Sequence, residues 1–417
     1  MEISHFGERF SARTGIQELM DDLGSALSSG DKSYMLGGGN PALIPEISRI
    51  WRERMKDILA AEGDFDRMLG YYDSPQGKGE FLVAMAALLR ENYGWEVSER
   101  NIAVTNGSQN AFFFFLNMFS GSTRGGRRRR ILFPLVPEYI GYADQSAEEG
   151  SFVSNLPLIR ETGDHEFKYF IDFDSLQVSH DIGAICVSRP TNPTGNVLTD
   201  AEITHLSELA AEHNIPLLID NAYGTPFPHI IFEEVVPIWN EHVVMSMSLS
   251  KIGLPALRTG IVVARKEIVQ AISSANAVMN LAIGGVGQAL TLPLVRSGEI
   301  LRLSREVVMP FYRQKSRQAI EWLHQALGNE VDYRIHRSEG SLFLWIWFKN
   351  LPIPTKELYR RLKRRSVFII PGEYFFYGLS APWEHREECI RLSYAQSDEV
   401  VREGIEIIAD EVRSLIM

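Results

Sequence analysis

Between about residues 80 and 300, short apolar runs alternate with segments whose apolar residues recur at helical spacing. The runs at 102–105, 131–135, 183–188, 215–220, 242–247 and 260–264 predict strands, and 80–92, 109–118, 200–213 and 266–277 predict helices. Strands that are apolar throughout, alternating with helices, indicate an α/β fold whose largely parallel sheet is covered on both faces. Such sheets hold ligands beyond the carboxyl ends of their strands. Functional residues are therefore expected just after each strand.

After about residue 300 the pattern changes. A long helix at 301–327 precedes a strand at 340–348, a helix at 355–365, strands at 367–370 and 389–394, and a final helix at 397–416. This predicts a smaller α/β domain, with the arm up to about Pro45 packed against it. The expected division is a large domain over 46–300 and a small domain made of 1–45 plus 301–417. A chain of 417 residues is long for a single core, which agrees with two domains.

Composition narrows the class. The net charge of −11 argues against a general binder of nucleic acid or anionic membrane. No apolar run reaches the ~18 residues of a membrane span, and no secretory signal precedes the first motif, so a cytoplasmic enzyme is expected. The two cysteines, Cys186 and Cys389, lie in or beside apolar runs and read as reduced core residues. The ten histidines show no ligand spacing, so no metal site is expected. The Arg-rich stretch 124–130 reads as a solvated loop on an acidic protein, with a patch for an acidic partner as the alternative.

Five segments carry candidate chemistry. The first is Ser248-Leu-Ser-Lys251, with Arg258 seven positions further on, beyond the strand at 242–247. A lysine amine there can form a Schiff base with an aldehyde, and Ser248 and Arg258 can hold a phosphate. The segment alone also fits a snorkelling surface lysine. Thr105-Asn-Gly-Ser108-Gln109 ends a strand and opens a helix, giving either a phosphate cradle or an ordinary serine cap. Ser188-Arg-Pro-Thr-Asn192-Pro-Thr-Gly195 is a rigid loop whose amide can donate to a ring oxygen. Asp220 ends a strand, where an unpaired carboxylate is costly to bury and a protonated ring nitrogen would be a suitable partner. Tyr223, three residues on, could reach the same ring. Pro137-Glu-Tyr139 offers an aromatic that either stacks on a ring or belongs to the core. Finally, Arg391 lies inside an apolar strand and needs a carboxylate, from a substrate or from a structural ion pair.

Together these motifs resemble the class I/II, fold-type-I pyridoxal-phosphate-dependent aminotransferases over about Leu36 to Tyr394. The resemblance implies a large domain with a mainly parallel seven-stranded sheet, a smaller α/β domain, and pyridoxal 5′-phosphate as cofactor. It implies that Lys251 carries the cofactor, that Asp220 pairs with its ring nitrogen, and that Tyr223 and Asn192 contact its ring oxygen. Ser108, Gln109, Ser248 and Arg258 would bind the phosphate, and Tyr139 would stack on the ring. Arg391, Asn192 and Gly39 would hold the substrate carboxylate. Tyr72 would reach the phosphate of a neighbouring subunit in a homodimer. The Lys251-to-Arg258 spacing is seven residues where many relatives have eight, which calls for a tighter turn. Within the family, segments such as Met35-Leu-Gly-Gly-Gly39-Asn-Pro41 and Asp220-Asn-Ala-Tyr223-Gly are similar to the valine–pyruvate aminotransferases. That similarity implies amino-group exchange between small amino acids and 2-oxo acids, with a carbon–sulfur β-lyase on the same cofactor as the alternative. Apolar pocket walls are expected near Ile16, Leu36, Leu43 and Phe375.

Overall fold

The computed structural model of the chain describes residues 2–12, 17, 24 and 32–416. Among these residues the central sheet has eight strands, one more than expected. The strand Ile102–Thr105 lies at one edge, followed in space by Gly260–Val263, Val243–Ser248, Leu217–Asn221, Ile182–Ser188 and Arg128–Phe133. Phe152–Ser154 and the two-residue strand Gly121–Ser122 both pair with Arg128–Phe133. Neighbours are parallel from Val243–Ser248 through to Phe152–Ser154, while Gly260–Val263 and Gly121–Ser122 are each antiparallel to the strands they pair with. Two of the eight, Phe152–Ser154 and Gly121–Ser122, lie outside the six runs read from the sequence, being only three and two residues long.

The strands Ile102–Thr105, Ile182–Ser188, Leu217–Asn221, Val243–Ser248 and Gly260–Val263 are buried at every position, which is why they read as continuous apolar runs. Their register aligns the ends that matter. Ser188 pairs with Asp220, Asp220 with Ser246, Ser248 with Gly260, and Gly260 with Thr105. The carboxyl ends of four strands and the loop before Gly260 thus share one edge.

A second sheet holds the strands Ile370–Pro371, Cys389–Ser393, Phe343–Phe348, Tyr333–His336, Glu166–Phe170 and Leu158–Gly163, in that spatial order. The hairpin 158–170 falls within the range expected for the large domain, yet it extends the sheet built from C-terminal strands. Its outer strand Leu158–Gly163 is almost wholly solvent-facing and polar, so it gave no strand signal. The connecting helix is also interrupted. Glu299–Leu303 and Met309–Leu327 are separated by a π-turn, Ser304–Val308, directly before Pro310, which has no N–H to continue the ladder.

The N-terminal arm divides its contacts. Tyr34–Met35 pairs in parallel with Val367–Phe368, and Ser393 N donates to Leu36 O. The first helix, His5–Ser11, lies instead on the large-sheet side, with the Phe10 ring 5.6 Å from that of Phe113 and Arg9 bonded to Ser146 O. Among the described residues no helix is long and apolar enough to cross a membrane. Cys186 and Cys389 are both free and buried.

Candidate active site

The aligned strand ends, the Met35–Asn40 segment and the strands that carry Ile370 and Arg391 enclose a cavity of about 750 Å³. Its wall includes Gly39, Ser108, Gln109, Tyr139, Asn192, Asp220, Tyr223, Ser248, Lys251, Arg258 and Arg391. Of the expected site residues, only Tyr72 lies elsewhere, at 83% exposure on the surface of the chain.

One end of the cavity is built to hold an anion. The helix Ser108–Phe119 begins after Gly107 with no side-chain cap, so its first N–H groups face the cavity mouth. The Arg258 guanidinium lies across Gly107, where a Cβ would sit 2.3 Å from Nη2. Gly107 also has φ +82°, so a side chain here would be strained and would displace the arginine. Arg258 itself is left-handed at φ +46°, closing the 3₁₀ turn Pro255–Leu257. That turn lies within the seven-residue span from Lys251 to Arg258. Ser248 Oγ faces the same region and accepts from Ser250 N at 3.1 Å.

Deeper in, Asp220 ends its strand with both oxygens engaged. Oδ2 accepts from Tyr142 Oη at 2.5 Å and Oδ1 accepts from Ala222 N at 2.8 Å. Burial raises its pKa to about 6, against the lowering influence of Tyr142, Ala222 N and the Lys251 charge. Among the described residues no cation forms an ion pair with it. Glu138 lies behind Tyr139, accepting from Tyr139 N, Ser188 N and Ser188 Oγ at 3.0, 2.8 and 2.8 Å. Burial pushes this carboxyl up to about 7.

Lys251 Nζ donates to Gly39 O at 2.6 Å and sits 5.2 Å from the centre of the Tyr223 ring. Burial, then the positive charges of Arg391 and Arg258, lower its pKa to about 8. Arg391 is gripped but carries no counter-ion among the described residues. Nη1 donates to Asn192 Oδ1 and Nη2 to Gly37 O, each at 2.7 Å. Nε is buried without a partner, and the guanidinium carbon lies 4.0 Å from the Phe343 ring centre. Burial brings its pKa down to about 10. A buried guanidinium in this state is suited to an incoming carboxylate.

The loop that carries Asn192 is braced from the second sheet. Lys168 Nζ bonds Glu339 Oε2 at 2.5 Å and Val197 O at 3.0 Å, while Val197 N donates to Glu339 Oε2 at 2.9 Å. Sequence reasoning did not single out this pair, nor the contact of Tyr142 with Asp220 or the role of Glu138. The pocket walls also differ from expectation. Leu36 and Phe375 are fully buried, Leu43 is 88% exposed, and none of the three lines the cavity; Ile16 lies outside the described residues. Met35 and Ile370 occupy the wall instead. Met35 ends the short strand Tyr34–Met35, and the buried Leu36 follows it in the turn beyond.

Residues 39–408 match the family model of the class I and II aminotransferases. The chain is 47% identical over 412 residues to a valine–pyruvate aminotransferase of Escherichia coli K12, covering 99% of this chain and 98% of that protein. The crystal structure of valine-pyruvate aminotransferase from Salmonella typhimurium LT2 is similar at a TM-score of 0.89 and 46% identity, over 96% of this chain and 99% of that one. Aspartate aminotransferase from Thermus thermophilus shares the fold, with a TM-score of 0.79 at 21% identity over 99% and 100% of the two chains.

Proposed function

The chain belongs to the class I and II aminotransferases of fold type I, and we propose that it exchanges the amino group between L-valine and pyruvate, giving 2-oxoisovalerate and L-alanine. The observation that carries this reading is the 47% identity, along nearly the whole chain, to a valine–pyruvate aminotransferase. The cations of this chain that line the cavity are Lys251, Arg258 and Arg391 among the described residues. Each has a task in the reaction below, so none is left for a second carboxylate on an amino-acid side chain.

The cofactor of the reading is pyridoxal 5′-phosphate, and the residues fit it. A phosphate suits the open helix start at Ser108 and Gln109, with Ser248 and Arg258 beside it. A protonated ring nitrogen suits the cation-free carboxylate of Asp220. Tyr139 and Tyr223 flank the space between, and Asn192 lies within reach of the substrate side. Bound there, pyridoxal phosphate supplies an aldehyde that captures the amine and a ring that takes up the electrons of the broken Cα–H bond.

The protein supplies position and proton transfer. Arg391 and Asn192 hold the substrate carboxylate, which fixes Cα relative to Lys251. Lys251 moves the proton at Cα, and its lowered pKa places a useful share of neutral amine near pH 8. Asp220 holds the proton on the ring nitrogen, and the donors Tyr142 and Ala222 N keep the carboxylate charged.

The reading includes a homodimer in which Tyr72 completes the neighbouring site. Leu69, Tyr71, Tyr72 and Leu281 are all more than half exposed. Gly285 lies against Met68 and Asp73, so these apolar side chains come from adjoining segments. A cytoplasmic location completes the proposal. The test is a matrix of amino donors against oxo-acid acceptors, read with the visible spectrum of the purified protein. Formation of valine from alanine and 2-oxoisovalerate is expected. If instead cystathionine yields pyruvate and no valine forms, a β-lyase replaces the transaminase.

A further inference from the structure

We infer that Gly38, with Ile370 and Met35 beside it, forms the wall that receives the substrate's side chain, and that the missing side chain at position 38 sets how large that group can be. The inference rests on the aminotransferase reading and adds the residues that select among aliphatic substrates.

The argument begins with two hydrogen bonds. Arg391 Nη2 donates to Gly37 O and Lys251 Nζ donates to Gly39 O. The group that holds the carboxylate and the group that handles the Cα proton therefore hang on the same short stretch of backbone, one residue apart from Gly38 on either side. A substrate spanning Arg391 and Lys251 must lie along this stretch, and its side chain must pass one of its faces.

Gly37 and Gly38 are glycines for different reasons. A Cβ on Gly37 would meet Ile370 Cδ1 at 3.2 Å and the Ile369 carbonyl at 3.3 Å, so packing within the protein excludes it. A Cβ on Gly38 would meet nothing closer than Met35 O at 4.0 Å, and Gly38 is not among the residues with positive φ. Neither backbone conformation nor protein packing requires glycine at 38. The residue lines the cavity, so the space that its side chain would take is available to the substrate.

Ile370 closes the same region. It pairs directly with Arg391 across the antiparallel strands Ile370–Pro371 and Cys389–Ser393, so the two side chains share a face of the sheet. A Cβ on Gly37 would lie 3.2 Å from Ile370 Cδ1, and Ile370, itself buried, lines the cavity. Met35, which also lines the cavity while the next residue, Leu36, is fully buried, adds a second apolar surface.

The test uses holoenzyme in three forms: the natural chain, Gly38→Ala and Ile370→Val. Two quantities are measured. One is kcat/KM for alanine, valine and leucine with a common acceptor. The other is calorimetric binding of acetate and isovalerate, which carry the carboxylate without an amine to react. Gly38→Ala is expected to lower the valine-to-alanine ratio of kcat/KM, and the isovalerate-to-acetate ratio of affinity, by about tenfold, the effect of one methyl group in an apolar pocket. Ile370→Val is expected to move both series toward the larger member. Thermal melting separates a misfolded variant from an altered pocket. Unchanged ratios in both folded variants would overturn the assignment. Failure of the natural chain to transaminate any aliphatic amino acid would instead overturn the proposed reaction, while the carboxylate affinities would still test the wall.

Discussion

The Tyr142 hydroxyl donates to Asp220 Oδ2 over 2.5 Å, deep in the cavity floor. Tyr142 is itself clamped, stacked at 4.6 Å on Phe112 and at 6.1 Å on Phe133. It has little freedom to turn away, so the bond is a fixed part of the carboxylate's environment. Burial raises the Asp220 pKa to about 6 even with this donor present.

Removing the donor should raise it further. Tyr142→Phe is expected to lose activity about tenfold at pH 7, since a hydrogen bond to a charged group contributes about 1.5–3 kcal/mol. The sign follows from the carboxylate being the working form. Below its pKa the group is neutral, so the loss should deepen as pH falls and shrink as pH rises. A pH–rate profile checks this, and a loss equal at every pH would contradict it.

Lys251 supplies a second pH dependence. Its folded pKa is lowered from 10.5 to about 8, so the neutral amine increases as pH rises through about 8. Capture of pyridoxal phosphate by cofactor-free protein should accelerate over that range and level off above it, as followed by absorbance. A rate still climbing near pH 10 would mean an unperturbed amine.

Lys251→Ala removes both the proposed covalent anchor and the proposed proton carrier. Turnover should fall by several orders of magnitude while the cofactor still binds through the phosphate cradle. Borohydride reduction followed by peptide mapping should label residue 251 in the natural chain alone.

Arg391→Lys keeps a positive charge but forfeits the planar fork held by Asn192 and Gly37. Catalytic efficiency for amino acids should drop about 100-fold or more, with cofactor absorbance preserved. Steady-state kinetics alongside the visible spectrum distinguish this from loss of cofactor.

The brace behind the Asn192 loop makes a stability prediction. Lys168 and Glu339 are only 6% and 4% exposed in their side chains. Glu339→Ala leaves a buried, unpaired ammonium and should destabilise the fold by about 3–5 kcal/mol. Denaturant unfolding measures it, and Lys168→Met in the same chain should recover part of the loss.

What the sequence could reveal follows from the physics of each signal. The inner strands were legible because both of their faces are buried, so composition alone marks them. Asp220 and Arg391 stood out as charged groups placed where burial without a partner is expensive, Lys251 as an amine between hydroxyls after a strand with Arg258 beyond, and Asn192 as the amide of a loop fixed by prolines and glycine. Tyr142 did not, because a tyrosine among phenylalanines reads as core until the partner of its hydroxyl is known. The strand Leu158–Gly163 was hidden by its polar, exposed surface. Met35 and Ile370 were missed for another reason. Which of two neighbouring apolar residues faces the cavity and which the core is set by the tertiary packing of the segment, and periodicity does not show it.

The contact between Arg391 and the carbonyl of Gly37 joins positions 354 residues apart in the chain. During synthesis, which proceeds from the N-terminus, the residues proposed to grip the coenzyme have all emerged by Arg258, whereas the guanidinium proposed to hold the amino acid follows more than a hundred residues later. A nascent polypeptide can therefore assemble its coenzyme cradle well before it can recognise anything to act upon.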